Sequence, residues 1–231
     1  MSGRLNNPKF LVGEWKLNNN AKDSSGHGND GTWTGTETYA EGIFNNTVGK
    51  FDGSSAVNCG TDLWSAADLV KGTMSTWVSL ANPGASIVQR FFCIETVLRF
   101  IFDEDYTDNF QFTLFDGTER NIDTGVSPVA NKMYHLAATW NGTNISVYVD
   151  GNLISTTSAG SPSLDVGSNQ TTIGANYGGG NQQLTGNMSS SRVYNIDLTQ
   201  DEVKTLYNQG QRNPKQVKVS FPLDTLPDLA G

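Results

Sequence analysis

Met133-Tyr134-His135-Leu136-Ala137-Ala138-Thr139-Trp140-Asn141-Gly142, followed by Ile145-Ser146-Val147-Tyr148-Val149-Asp150-Gly151, reads as two strands and two turns. Asn-Gly and Asp-Gly pairs supply the positive φ angles that two-residue hairpin turns need, and here both are flanked by strand-forming residues. Ile145, Val147 and Val149 alternate with Ser146 and Tyr148, so one face of the returning strand is buried. Leu153-Ile154-Ser155 then continues beyond the second turn. Three strands at such short spacing make an antiparallel meander.

The same grammar extends outward. Phe10 to Leu17 is a strand in which Glu14 and Lys16 alternate with Trp15 and Leu17. Asn18 to Gly35 is rich in turn formers, with Asp23-Ser24-Ser25-Gly26 and Asn29-Asp30-Gly31. Lys50-Phe51-Asp52-Gly53 ends in a turn and leads into a short strand over Ala56 to Gly60. Gly72 to Leu80 is a strand with Met74, Thr76 and Val78 on one face and Trp77 on the other. Ser86 to Phe102 holds two buried strands, followed by an acidic turn over Asp103 to Asp108. Asn109 to Phe115 alternates strictly and ends at Asp116-Gly117, a further hairpin signal. Thr171 to Gly174 and Arg192 to Tyr194 are late strands. One helix stands out. Thr199 caps it, Glu202 reaches back three residues later, Val203, Leu206 and Tyr207 share a face, and Gly210 is its expected end.

Many strands and one helix define an all-β fold, an antiparallel two-sheet sandwich. The chain has 231 residues, enough for one large sandwich, and its eleven Phe, seven Tyr and five Trp are enough to fill the space between two sheets. Trp15, Trp77 and Trp140 are expected in the core.

The net charge of −8 repels a phosphate backbone, and no basic run is interleaved with aromatics, so nucleic-acid binding is not expected. No apolar stretch approaches the ~20 residues of a membrane span. The opening MSGRLNNPKF lacks the apolar core of a signal peptide, so synthesis in a cytoplasm without export by that route is the expectation. Cys59 and Cys93 sit in apolar or strand contexts, which favours two buried free thiols over a bridge.

The meander resembles the laminin-G-like, concanavalin A-like lectin/glucanase family of jelly rolls. Met133 to Gly151 is similar to that family's W-H-x-V-A-x-T-x-D-G … L-Y-V-D-G hairpin. Thr172-Ile173-Gly174 resembles its L-x-I-G strand. Gly186 to Asn195 with Leu198, Thr199, Glu202 and Val203 resembles its closing G-x-I-D-E-V-R-I-Y-N-R-A-L-S-x-x-E-I. The opening Trp15-Lys16-Leu17 and Phe51-Asp52-Gly53-Ser54-Ser55 fit as well. The resemblance covers about residues 10–210 in order. It leaves an N-terminal arm over 1–9 and a C-terminal extension over 211–231. Its specificity is for fold, so function has to be argued from a site.

The resemblance implies three further things to weigh. Some relatives are glycoside hydrolases with closely spaced carboxylates, ~5 Å apart in a retaining enzyme. Here the cluster Asp103, Glu104, Asp105 and Asp108 lacks the glutamate spacing, Glu95 stands alone, and no nucleophile motif appears. The expectation is a protein that is not an enzyme, with His135 structural and His27 a loop residue. Many relatives hold calcium through an early loop and a late-strand aspartate. Asp23, Asp30 and Asp52 are present, but Ser189 stands where that late aspartate would fall, so no cofactor is committed and the aspartates read as turn formers. Sugar binding needs an exposed aromatic beside amides and carboxylates. It is expected on the loops of one rim or on the concave sheet. Tyr106 beside Asp105, and Tyr177 beside Asn176, have that composition and are the candidate ligand-binding residues.

In the extension, Val217, Val219 and Phe221 alternate with Lys218 and Ser220, and Phe221-Pro222-Leu223-Asp224 echoes Trp15-Lys16-Leu17-Asn18. A strand that adds to its own sheet or to a neighbouring copy is one expectation, and a homo-oligomer would follow from the second case. The functional expectation is a non-catalytic binding or adhesion module on a virion or other extracellular-facing surface, with other virion proteins, copies of itself or a glycan as partner. The alternative is a stand-alone lectin-like protein.

Overall fold

The computed structural model describes residues 3–42, 46–61, 63, 70–84, 88–94, 98–103, 108–115, 118–158, 170–176 and 182–211. In chain order the strands are β1 Leu11–Trp15, β2 Thr32–Thr34, β3 Tyr39–Glu41, β4 Thr47–Asp52, β5 Ala56–Asn58, β6 Gly72–Leu80, β7 Gln89–Ile94, β8 Leu98–Asp103, β9 Asn109–Phe115, β10 Glu119–Asp123, β11 Tyr134–Trp140, β12 Asn144–Val149, β13 Asn152–Ser158, β14 Thr171–Ile173 and β15 Thr185–Tyr194, followed by helix α1 Gln200–Gln211.

They form two antiparallel sheets. The eight-stranded sheet runs β13-β12-β11-β6-β15-β4-β3, with β1 also on β15, and the seven-stranded sheet runs β10-β9-β8-β7-β14-β5-β2. The chain is thus an all-β two-sheet sandwich with one C-terminal helix. Alternate residues of both sheets meet between them. Met74, Val78, Leu136, Trp140, Ile145 and Val147 come from one sheet, and Phe92, Phe100, Phe110, Phe112, Leu114 and Ile173 from the other.

The meander forms as its turns dictate. Gly142 has φ 83°, and the Asn141 side-chain oxygen accepts from the backbone N–H groups of Thr143 and Asn144 at 3.0 and 2.8 Å. Asp150 and Gly151 both lie at positive φ, 51° and 75°, as a type I′ turn requires. The Asp150 carboxylate also accepts from the His135 N–H at 2.9 Å, tying the turn to the first strand.

Four strands differ from the sequence expectation. β2 lies inside the run read as turns, and β3 and β10 lie in segments read as no element. Each is an edge strand with little apolar content, formed because a neighbour supplies the ladder. In β10 only Ile122 joins the core. β15 spans ten residues rather than three, although Gly, Asn and Ser fill its first half. It is flanked on both sides, with β6 along one edge and β4 and then β1 along the other. Gly186 permits that approach, since a Cβ there would stand 1.9 Å from the Ser79 carbonyl oxygen. Where β15 passes from β4 to β1 its register shifts between Ser189 and Arg192, and Ser190 adopts φ 51°.

The outer face of the eight-stranded sheet carries a second, smaller apolar cluster. Leu5 and Leu11 from the N-terminal side meet Ala137, Tyr148, Tyr194, Ile196 and Leu198 under Val203 and Leu206 of α1. Trp77 belongs here and not between the sheets. It is buried, and its ring stacks on Tyr207 of the helix at 5.5 Å. Gly210 lies within α1 rather than ending it, because a Cβ there would meet the Trp77 indole nitrogen at 2.3 Å, so glycine is required for close approach. The capping box is present: Glu202 Oε2 accepts from the Thr199 N–H at 2.9 Å, and the Glu202 N–H donates to Thr199 Oγ1 at 3.3 Å.

Candidate functional site: the outer face of the seven-stranded sheet

One outer face of the sandwich is roofed by the helix; the other is lined by hydrogen-bonding side chains. Successive ladders align Thr32, Asn58, Thr172, Cys93, Arg99, Thr113 and Asn121 across all seven strands. Their neighbours Trp33, Val57, Ile173, Phe92, Leu98, Leu114 and Ile122 turn inward, so the row points outward. Cys93, Thr172 and Thr113 in its middle are buried, while Thr32 and Asn121 at its ends are exposed.

At the β9–β10 end the row becomes a connected network beside an exposed aromatic. Thr113 Oγ1 donates to Asn121 Oδ1 at 2.7 Å, and Asn121 Nδ2 donates to Glu119 Oε1 at 2.9 Å. Arg99 Nη2 donates to the same oxygen at 3.0 Å. Glu119 Oε2 receives no bond within the network, and the Glu119 side chain is 48% exposed. Directly opposite Glu119 in the ladder is Phe115, 40% exposed and on the same outer face. The Asn121 hydrogen bond holds the Glu119 carboxyl below its usual range against a burial effect of opposite sign, and Arg99 and Arg90 lower it further. Glu119 is therefore an ionised acceptor at neutral pH rather than a proton donor. No second described carboxylate is bonded into this network.

Of the sequence candidates only Asn176 lies within the described residues. Asp105, Tyr106 and Tyr177 lie outside the described residues, as do Glu95 and Glu104. The strand ends that carry the first loop are paired, Asp103 opposite Asn109. Asn176 is described, and its Oδ1 accepts from Arg90 Nη1 at 2.7 Å, which ties the segment after β14 to the start of β7. The end of β8 and the segment after β14 thus lie at one end of the sheet, on either side of β7. Phe115, Glu119, Asn121 and Arg99 were not among the expected site residues. The signal was there: in Asn109 to Phe115 the even positions are apolar and inward, so Phe115 is an aromatic on the polar face.

The early-loop aspartates do not fit a calcium site. Asp23 accepts from the N–H groups of Glu14, Ser25 and Asn29 at 2.9, 2.8 and 3.0 Å and from Ser25 Oγ at 2.8 Å. Asp30 Oδ1 accepts from the Asp23 N–H at 2.9 Å. Asp52 Oδ1 accepts from the Ser54 N–H and from the Ser54 and Ser55 hydroxyls. Ser189 Oγ donates to the Lys16 carbonyl at 3.2 Å. Both oxygens of Asp23 and one oxygen each of Asp30 and Asp52 are engaged by backbone or hydroxyl donors of their own loops, as in turn formers.

The two histidines, Glu14 and the two cysteines are accounted for by packing and hydrogen bonding. The His135 ring is buried between Trp77 and Tyr207, and burial, with Arg192 adding to it, pushes its pKa down to about 3. His27 is exposed, with Nε2 at 2.7 Å from the Pro8 carbonyl oxygen. Burial of Glu14 raises its pKa, but the Arg192 guanidinium, at 2.7 Å from Oε1, together with Ser24 and Lys16 leaves it below the usual range. Cys59 and Cys93 are free and buried, and burial pushes the Cys93 thiol up to about 12, so neither is a poised nucleophile.

A family model described as the Concanavalin A-like lectin/glucanases superfamily, of the laminin-G type, matches residues 51–204. The chain belongs to that superfamily. No curated protein sequence matches this concanavalin A-like chain. Among solved structures it is similar to domain 4 of AbnA, a GH43 extracellular arabinanase from Geobacillus stearothermophilus, in complex with arabinotriose. The identity is 19% and the TM-score 0.71, over 85% of this chain and 98% of that one. It is similar to the binding domain of Paraclostridial Mosquitocidal Protein 1 at 14% identity and TM-score 0.69, over 88% and 53% of the two chains. It is also similar to the binding domain of botulinum neurotoxin DC in complex with rat synaptotagmin II, at 13% identity and TM-score 0.67, over 87% and 52%. The chain thus spans about half the length of the toxin domains it matches. At these identities the likeness is one of fold.

Proposed function

We propose that this chain is a non-catalytic carbohydrate-binding module whose ligand lies on the outer face of the seven-stranded sheet, against Phe115, Glu119, Asn121 and Arg99. The observation that carries the reading is an exposed aromatic ring beside a pre-formed Thr113–Asn121–Glu119–Arg99 network. Apolar C–H faces of a sugar stack on such a ring, while vicinal hydroxyls donate to a carboxylate and accept from an amide or guanidinium. Because the network is tied together before ligand arrives, little side-chain entropy is lost on binding. The arabinotriose complex of the similar arabinanase domain supports the class of ligand, and the toxin binding domains support a role in attachment. The setting proposed with it is a virion or other extracellular-facing surface, where glycans are met; a virion role draws no support from the similar structures.

The test is a glycan array probed with the full chain, followed by calorimetry on the best oligosaccharide with Phe115→Ala and Asn121→Ala. Binding by the parent and loss of tenfold or more in affinity in both variants, with unchanged melting temperatures, is the expected result. Binding that survives both substitutions would move the site to the opposite rim, around Asn176. No binding to any glycan would overturn the reading in favour of a structural subunit.

A further inference from the structure

β15 changes partners part-way along its length, and the change leaves an opening. Thr185 to Met188 pair with β4, whereas Ser191 to Tyr194 pair with β1 on the same edge. Ser189 and Ser190, between them, pair with neither strand. Ser190 stands at φ 51°, a left-handed conformation uncommon outside glycine. A cavity of about 210 Å³ opens here on the outer face of the eight-stranded sheet, beside the last turn of α1. Pockets for drug-sized ligands run to about 300–1,000 Å³, so this one suits a single small ring.

The charge of this cavity is the reverse of the chain's. Lys16 and Arg192 line it, and no carboxylate is among the described residues that do, in a protein of net charge −8. Glu14 stands outside the lining and meets both cations, Arg192 Nε at 2.7 Å and Lys16 Nζ at 3.5 Å. One positive charge is therefore left over. The Arg192 side chain is only 12% exposed, and it meets Glu14 through Nε, which leaves the fork of its two terminal nitrogens without a partner among the described residues. Ser189 and Ser190 add hydroxyls 3.4 Å apart, and Gln209 adds an amide. Val48 and Met133 add a small apolar patch.

We infer that this cavity is a second binding site, and that its ligand is the ring of a sugar acid, such as a hexuronate. The Arg192 fork takes the carboxylate through two parallel hydrogen bonds, with the Lys16 ammonium as a second positive charge. Ring hydroxyls exchange hydrogen bonds with Ser189, Ser190 and Gln209, while Val48 and Met133 meet the C–H face of the ring. A bare phosphate would satisfy the two cations but leave the apolar patch unused. The site lies on the outer face opposite to Phe115 and does not rest on the carbohydrate reading of that face. A free sugar acid and one at the end of a glycan present the same ring, so both sources belong in the test.

The experiment is titration of the full chain with D-glucuronate, D-galacturonate and methyl glucuronide, against glucose, galactose and inorganic phosphate, followed by calorimetry and by nuclear magnetic resonance. Trp77 lines the cavity, so its indole N–H signal reports occupancy there, whereas the Asn121 amide signals report the opposite face. The expected result is a shift of the Trp77 signal with the acids, at an affinity tenfold or more above that for the neutral sugars. Arg192→Lys keeps a cation beside Glu14 but removes the fork, and should weaken binding tenfold or more. Should that variant melt early, Lys16→Gln carries the test, because the Lys16 side chain is 57% exposed and its loss spares the fold. Binding of methyl glucuronide assigns the site to the end of a glycan, and binding of the free acids alone assigns it to the free acid; either upholds it. Equal affinity for neutral sugars, binding of phosphate alone, or a Trp77 signal that never moves overturns the inference. A shift confined to Asn121 overturns it too and leaves the Phe115 site standing, while a shift confined to Trp77 upholds it whatever becomes of the Phe115 site.

Discussion

His135 shows how much a single buried ring decides. It faces outward from β11, yet Tyr207 and Trp77 enclose it at centroid distances of 6.1 and 5.2 Å, and neither ring nitrogen has a hydrogen-bond partner among the described residues. Burial first, and the positive charge of Arg192 second, lower its pKa from 6.5 to about 3. The unfolded chain therefore takes up a proton below about pH 6.5 that the folded chain refuses until about pH 3. Stability is complete above the upper value and falls as pH drops through that window, by at most about 1.4 kcal/mol per pH unit. Replacing His135 by Phe keeps an aromatic between Trp77 and Tyr207 and removes the proton. Urea titrations of parent and His135→Phe should show a stability loss between pH 6.5 and 5 in the parent that is flattened in the variant. Equal slopes would mean that the ring is solvated in the native state.

At the scale of elements, α1 is held by its start, its buried stripe and one glycine. The Thr199–Glu202 capping box satisfies N-terminal donors that would otherwise be unpaired, and Glu202 also meets Arg4 Nη1 at 3.3 Å. Thr199→Ala should lower stability by about 1 kcal/mol, a fall of about 2–4 °C in melting temperature for a chain of this size. Glu202→Ala loses the Arg4 pair as well and should fall further. Calorimetry of the two variants reads the order directly, and a larger fall for Thr199→Ala would show that the ion pair contributes nothing. The strands behave differently. β10 and β2 have no apolar stripe of their own and exist because β9 and β5 offer them a ladder, which is why no periodicity announced them.

At the scale of the whole molecule, the two outer faces divide the work. The helix and the N-terminal residues Leu5 and Phe10 cover one, and the proposed ligand face lies on the other. The early loop ties the opening strand to the sandwich through hydrogen bonds to one carboxylate. The Asp23 carboxylate gathers four donors from residues 14 to 29, and Trp15 Nε1 donates to the Asn29 carbonyl at 2.8 Å. Thermal unfolding should therefore be the same with added calcium and with chelator, while Asp23→Ala should destabilise equally in both. A chelator-dependent melting temperature in the parent would restore a calcium site.

What the sequence by itself determined is the class of fold and the path of its meander. Turn chemistry at Asn141-Gly142 and Asp150-Gly151 and alternation in β9 and β12 are local properties that act through backbone sterics and side-chain direction. The capping box of α1 was legible for the same reason. The tertiary structure alone decided the rest. Trp77 looked like core and is buried under a helix 130 residues later in the chain, with Gly210 reserved for contact rather than for a helix end. The ligand face depends on β8, β9 and β10 lying side by side in a register that brings Arg99, Thr113 and Asn121 into one row and sets Glu119 opposite Phe115. Local turn patterns pair strands within a hairpin, but none encodes how the hairpins assemble into two sheets; that is settled by the burial of both sheets against each other, and the candidate site exists only once that packing is complete.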